Sequence, residues 1–150
     1  MGAAKKLNLL PPDKTRWHEW IELEALELEQ CELECNGLSW AFSHLLTKKG
    51  IPHECMSGYV RRKLTGEAVV PHYWVELEGG WILDLRLQLW LGDHDFIPHG
   101  VFHRNEALAL GVEYVGQAEP RTGVEYTESF LDCLTYGMIH EVEFSRPDEV

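Results

Sequence analysis

The order of patterns along the chain predicts an α+β domain, with N-terminal helices packed on a twisted antiparallel sheet. Three observations carry this. Up to Lys49 the apolar residues recur at helical spacing; beyond Gly50 they give way to runs rich in β-branched and aromatic residues. The gaps between the first runs, Leu64-Thr65-Gly66-Glu67 and Glu78-Gly79-Gly80, are short and carry turn chemistry, so the strands join as hairpins. The 150 residues are 45% hydrophobic, and a chain of that length buries about 70% of its unfolded surface in one core. A single domain over residues 1–150 is expected.

Residues 1–12 read as a loose arm ended by Pro11-Pro12. From Asp13, a fair N-cap, to about Glu29 a helix is expected, with Trp17, Trp20, Ile21 and Leu28 at i, i+3, i+4 and i+11. The next helix is the clearest element. Leu38, Ala41, Phe42, Leu45 and Leu46 form a one-sided stripe. Lys48-Lys49-Gly50 and Pro52 then supply cations for the negative helix end, a C′ glycine and a stop. Strands are expected over Glu54–Arg62, Val69–Leu77 and Trp81–Leu89, with shorter ones at Gly100–His103 and Val112–Gly116. A short helix is expected from Thr127 to Tyr136, ended by Gly137.

Charge and composition narrow the function. There are 13 Lys+Arg against 25 Asp+Glu, a net charge of -12. That balance disfavours sequence-independent binding to nucleic acid or to an anionic membrane, both of which rely on Lys and Arg against phosphate. No apolar stretch approaches the roughly 20 residues of a membrane span. The N-terminal residues contain no apolar core of a secretory signal, so a cytoplasmic setting is expected. The four cysteines then read as free thiols. Seven glutamates between Glu19 and Glu34, with no Lys or Arg among them, read as a solvated face.

Cys35 stands three residues before Leu38 and seven before Phe42, at the N-terminus of the second helix. Unpaired N–H groups and the helix dipole favour a thiolate there, and the thiolate is the nucleophile. A thiol nucleophile needs a base, and the base needs a group to hold its ring. His72 and Asp84 follow on the second and third expected strands. Asp84 lies inside Trp-Ile-Leu-Asp-Leu, where a carboxylate needs a partner, and Arg86 competes with His72 for that role.

Taken together, the helix-opening Cys35, then AFSHLLTKKGIPHECMSGYV, then HYWVELEGGWILDL resemble the transglutaminase-like superfamily of papain-like cysteine enzymes, over about residues 33–87. The resemblance implies a papain-like core and no cofactor or metal. It also implies a thiol peptidase, amidase or deamidase acting on a peptide or protein substrate. Cys35 would be the nucleophile, His72 the general base and acid, and Asp84 the orienting acid. The Cys35 backbone N–H would contribute to the oxyanion hole, with Gln30 as a further oxyanion donor. An amine that intercepted the thioester would make the same residues a transglutaminase. Tyr73 and Arg86 stand where the family more often has small residues, and Tyr73 and Trp74 are candidates to line a substrate cleft. Glu32 and Glu34 flank the thiol with negative charge, which opposes a thiolate and suits a silent protein-binding module.

The hairpin loop tests the assignment of Asp84. A two-residue turn at Gly79-Gly80 sets Val75 opposite Asp84, with the carboxylate on the wrong face. A three-residue loop sets Trp74 opposite Asp84, so His72 and Asp84 share a face as diagonal neighbours roughly 7–8 Å apart. Among the other thiols, Cys31 is the rival nucleophile, and Cys55 and Cys133 are expected in the core. Trp90, Phe96 and Phe102 are further candidates to line a cleft, which the sequence alone does not decide. Cys31 and Cys35 with His94, His99 and His103 offer zinc-type ligands at irregular spacing, the weaker alternative chemistry.

Overall fold

A computed structural model describes residues 10–119 and 128–144. It is an α+β fold with one five-stranded antiparallel sheet, in the order β4-β3-β2-β1-β5. In chain order the elements are α1 (Arg16–Ala25), a 3₁₀ turn (Leu26–Leu28), α2 (Cys35–Lys48), β1 (His53–Arg62), β2 (Ala68–Leu77) and β3 (Trp81–Asp84). There follow α3 (Leu87–Leu91), β4 (Gly100–His103), α4 (Arg104–Ala109), β5 (Val112–Ala118), α5 (Glu128–Leu134) and a 3₁₀ turn (Met138–His140). Residues 1–9 of the expected arm, and Thr127 of the expected last helix, lie outside the described residues.

Helix α1 starts later than its sequence suggests, at Thr15 and not Asp13. The Thr15 hydroxyl accepts from the His18 N–H at 3.2 Å, and the His18 ring turns back on Thr15, completing a capping box. That ring stacks on Trp81 with centroids 3.9 Å apart. Burial, aided by the Lys14 and His103 charges, pushes His18 down to about 4, so the ring stays neutral. The helix passes into 3₁₀ geometry at Leu26 and ends at Leu28, with Glu29 as its C-cap, as the sequence suggests.

The sheet has two packed faces. On one, α1, α2 and the C-terminal elements bury Ile21, Leu38, Phe42, Leu46, Leu131 and Phe144 against Val75, Leu77 and Leu83. On the other, Trp74, Ile82, Phe102 and Tyr114 form a second core with Leu87, Ile97 and Ala107. The alternation of Trp74 with Val75, and of Ile82 with Leu83, sends neighbours to opposite faces. Gly58 and Gly116 let β1 and β5 approach closely. A Cβ on Gly58 would overlap the Val115 carbonyl, and one on Gly116 would overlap the Ser57 carbonyl and the Trp74 ring.

Two strand boundaries position the site. Leu77 pairs with Trp81, so the β2–β3 hairpin closes through the three residues 78–80, with Gly79 and Gly80 at φ +80° and +85°. The third strand stops at Asp84, five residues short of the expected Leu89. The Arg86 N–H donates to Asp84 Oδ1 at 2.9 Å, turning the chain out of the sheet, and Leu-Gln-Leu-Trp-Leu coils into α3. Among the described residues no helix is long and apolar enough to cross a membrane.

Candidate active site

Asp84 closes β3 on the Trp74 face of the sheet and is buried. Its carboxylate is fully engaged. Oδ2 accepts from His72 Nε2 at 2.7 Å and from the Tyr114 hydroxyl at 2.7 Å, and Oδ1 takes the Arg86 N–H. The rival pairing does not occur. The Arg86 guanidinium instead donates to the carbonyls of Leu33 (2.7 Å), Cys31 (2.9 Å) and Leu85 (3.2 Å). Arg86 thus straps the segment before Cys35 to the end of β3.

Tyr114 has no counterpart in the sequence reading. It lies on β5, three strand spacings from β3, about 14 Å across a flat sheet. A hydroxyl bonded to Asp84 from there requires the sheet to curl around the Trp74 ring, which meets Tyr114 edge-on at 5.0 Å. Burial, then the Asp84 charge, pushes the Tyr114 phenol well above its ordinary range, so it remains a proton donor.

His72 is 0% exposed. Burial opposes a charged ring. The Asp84 charge and hydrogen bond, with a further contribution from Cys35, outweigh it and push His72 up to about 10. Asp84 is held below its usual range in turn: burial would raise it, but His72, the Arg86 N–H and Tyr114 prevail. Nε2 serves Asp84, while Nδ1 is buried without a well-formed hydrogen bond. Trp74 stacks on the ring with centroids 6.1 Å apart, and Cys35 lies within interaction range of it.

Cys35 is the first residue of α2 and is half-buried. The preceding Glu34 is in N-cap position but makes no capping hydrogen bond through its side chain. Of the first amides of the helix, that of Gly37 donates to Asn36 Oδ1 at 2.8 Å, and none is covered by the N-cap side chain. The α2 N-terminus reaches the sheet where β3 stops, so Cys35 meets Tyr73, Leu83, Asp84 and Arg86 around a small cavity. On its other side the thiol borders an open cleft of about 640 Å³ between β2 residues Ala68–Pro71 and α3 residues Leu89–Leu91.

The remaining expectations divide. Tyr73 is half-buried and lines both the small cavity and the cleft. Trp74 is not a cleft residue: at 1% exposure it fills the curl of the sheet. Gln30 is exposed in the turn after the 3₁₀ segment and borders neither cavity lined by Cys35. Trp90 lines the cleft and is 61% exposed, Phe102 is in the core, and Phe96 lies under the Arg62 guanidinium.

Of the other thiols, Cys31 and Cys55 are buried, whereas Cys133 is exposed and not a core residue. Burial, only partly offset by Arg86, pushes the Cys31 thiol up, which leaves it a poor nucleophile. The candidate zinc ligands are engaged separately. His94 stacks on Phe96, His99 bonds Glu29 at 2.7 Å, and His103 bonds the Gly79 carbonyl at 2.8 Å. Among the described residues no group of three or more His, Cys, Asp or Glu is placed to hold a metal ion. In comparisons with known proteins, the chain matches no protein-family model, no curated protein and no solved structure.

Proposed function

We propose that this chain is a thiol-dependent acyl-transfer enzyme with a papain-like core of transglutaminase-like type, working as a peptidase, amidase or deamidase through a Cys35 thioester. One observation carries the reading: the buried His72 ring bonds the buried Asp84 carboxylate at 2.7 Å and lies within interaction range of a thiol that opens a helix beside a cleft. A histidine ring committed to a carboxylate on one nitrogen, with the other left toward a thiol, is the arrangement a cysteine nucleophile requires.

In this reading His72 holds the Cys35 proton as an imidazolium. The thiolate sulfur attacks the carbonyl carbon of a peptide or carboxamide, and the C=O π electrons move onto oxygen. The N–H of Cys35 stabilises that oxyanion at the uncapped helix end. On collapse the C–N bond breaks and the amine leaves with the His72 proton, giving a Cys35 thioester. Water then gives a proton to His72 and adds to the thioester carbonyl; the C–S bond breaks, releasing a carboxylic acid and restoring the Cys35 thiolate beside the His72 imidazolium. Asp84 keeps the imidazole in place and stabilises its charged form, while Tyr114 and the Arg86 N–H keep Asp84 in place. An amine in place of water makes the same intermediate a transglutaminase intermediate.

The test is the pH dependence of Cys35 alkylation by iodoacetamide, read by peptide mass spectrometry, in wild type and His72→Ala. At pH 6 the wild-type thiol should react at least about tenfold faster than that of His72→Ala, since only the thiolate is alkylated. Equal rates would reject the reading. They would favour a catalytically silent binding module, which the exposed Glu32 and Glu34 beside the thiol support; among the described residues neither has a cationic partner.

A further inference from the structure

Strand β2 is ten residues long and its neighbour β3 only four. The β3 partners reach from Leu77 to Val75, and the chain leaves the sheet at Asp84. On the side facing α3, among the described residues, no strand pairs with Ala68–Tyr73. Every second backbone N–H and C=O along a strand points to each side, so this stretch presents an unpaired edge. At 3.3 Å per residue it is about 20 Å long. Its β1 side is paired, with a bulge where Val60 meets Val69 and Gly58 meets His72. Pro71 sits in that bulge, at the edge, where its missing N–H costs no ladder bond.

The free edge is also the wall of the Cys35 cleft. Ala68, Val69, Val70, Pro71 and Tyr73 all line it, and the thiol lies beside its His72 end. The opposite wall offers Leu89 and Trp90, 68% and 61% exposed, and Val70 is 69% exposed on the edge itself. Two carboxylates, Glu34 and Glu67, line the cleft with no Lys, Arg or His among its lining residues; Glu67 is held by Arg62 at 2.9 Å.

We propose that the cleft takes an extended polypeptide segment, added as a strand to the free edge of β2 and delivering its carbonyl to Cys35. This rests on the acyl-transfer reading and narrows it from any carboxamide to unfolded peptide of neutral or basic character. The main chain pairs with Ala68–Val70 and Tyr73. Apolar side chains pack on Leu89 and Trp90, and Glu34 repels acidic segments. Main-chain pairing supplies the affinity and the wall side chains the selectivity, as in strand addition generally.

The test uses the intact protein and peptidyl chloromethyl ketones, which alkylate Cys35 with loss of chloride as the S–CH₂ bond forms. Acetyl-Phe, acetyl-Val-Lys-Phe and acetyl-Ala-Val-Lys-Val-Phe probes carry the same reactive end. From one residue to five, the second-order rate at Cys35 should rise at least about thirtyfold, as two or three main-chain hydrogen bonds would give. N-methylation of alternate amides facing β2 should remove about tenfold or more of that gain, and N-methylation of the intervening amides should not. Equal rates for one and five residues, or equal effects of the two N-methyl sets, would overturn strand addition. Iodoacetamide separates the two ideas. His72-dependent reactivity without length dependence leaves the chemistry and removes the docking edge. A thiol indifferent to His72 that keeps the length and N-methyl pattern retains the docking edge and removes the chemistry.

Discussion

Asp84→Asn keeps the shape of the side chain and removes its charge. In the wild type, three donors converge on that carboxylate inside the protein: His72 at 2.7 Å, Tyr114 at 2.7 Å and the Arg86 N–H at 2.9 Å. Holding a buried imidazolium up to about 10, against an ordinary 6.5, takes roughly 5 kcal/mol of interaction in favour of the charged ring. With an amide at residue 84, burial becomes the dominant influence, and His72 should titrate below 6.5. Removing one partner of a buried pair costs about 3–5 kcal/mol, and its dependence on pH is the decisive part. A histidine whose folded pKa is raised gives its full stabilisation below the unfolded value of 6.5 and loses it as pH climbs towards about 10. Asp84 contributes in the opposite sense, with full effect above its unfolded value of 3.8 and loss in acid. The destabilisation by Asp84→Asn should therefore be largest near pH 6 and shrink by about 1.4 kcal/mol per pH unit between pH 7 and pH 10. Urea unfolding of both proteins at pH 6, 8 and 9.5, with the His72 ring followed by NMR, measures it. A stability difference that stays constant over that range would refute the ion pair at the centre of the site.

Three further perturbations probe the supports. Tyr114→Phe keeps the ring against Trp74 but removes a donor to a buried charge. It should cost about 1.5–3 kcal/mol in urea unfolding and move the His72 titration upward, because Asp84 then turns more of its charge on the ring. Arg86→Ala leaves the Cys31 and Leu33 carbonyls without their donor. It should cost about 3 kcal/mol and slow Cys35 alkylation, and Arg86→Lys should rescue little because an ammonium lacks the guanidinium fork. Gly116→Ala would drive a methyl group into the Ser57 carbonyl and to 2.7 Å from the Trp74 ring. Thermal unfolding should show a loss of about 1–3 kcal/mol.

Much of the framework was legible before any coordinates. The stripe from Leu38 to Leu46 and the Lys-Lys-Gly-x-Pro exit define α2 because period, dipole and terminator agree there. The three-residue loop 78–80 follows from needing His72 and Asp84 on one face. Other features depended on tertiary context. Trp-Ile-Leu-Asp-Leu-Arg-Leu-Gln-Leu reads as one strand by composition, yet the strand ends at Asp84, whose side chain folds onto the Arg86 amide. Trp74 shares its face with His72, and nothing in its own segment reveals that β5 closes over that face. Tyr114 lies 30 residues beyond Asp84; its one local sign is a phenol in a strand run, which needs a partner when buried. Gln30 is suggested only by its place five residues before Cys35, and spacing along the chain does not show that the turn after Leu28 leaves it exposed.

The Arg86 strap has a consequence for how the protein opens. Its donors fasten a non-helical stretch, residues 31–33, whose own backbone has few regular bonds, to the turn that carries Asp84. Cys35 and Asp84 are far apart in sequence, yet a strap between their segments should make them one cooperative unit of local unfolding. Amides around Cys35 and those of Leu85 and Arg86 should then exchange with solvent water at a common rate. An adduct at the thiol should slow both sets together. Anything that loosens the strap should free the Cys35 segment from the end of the third strand before the sheet itself gives way.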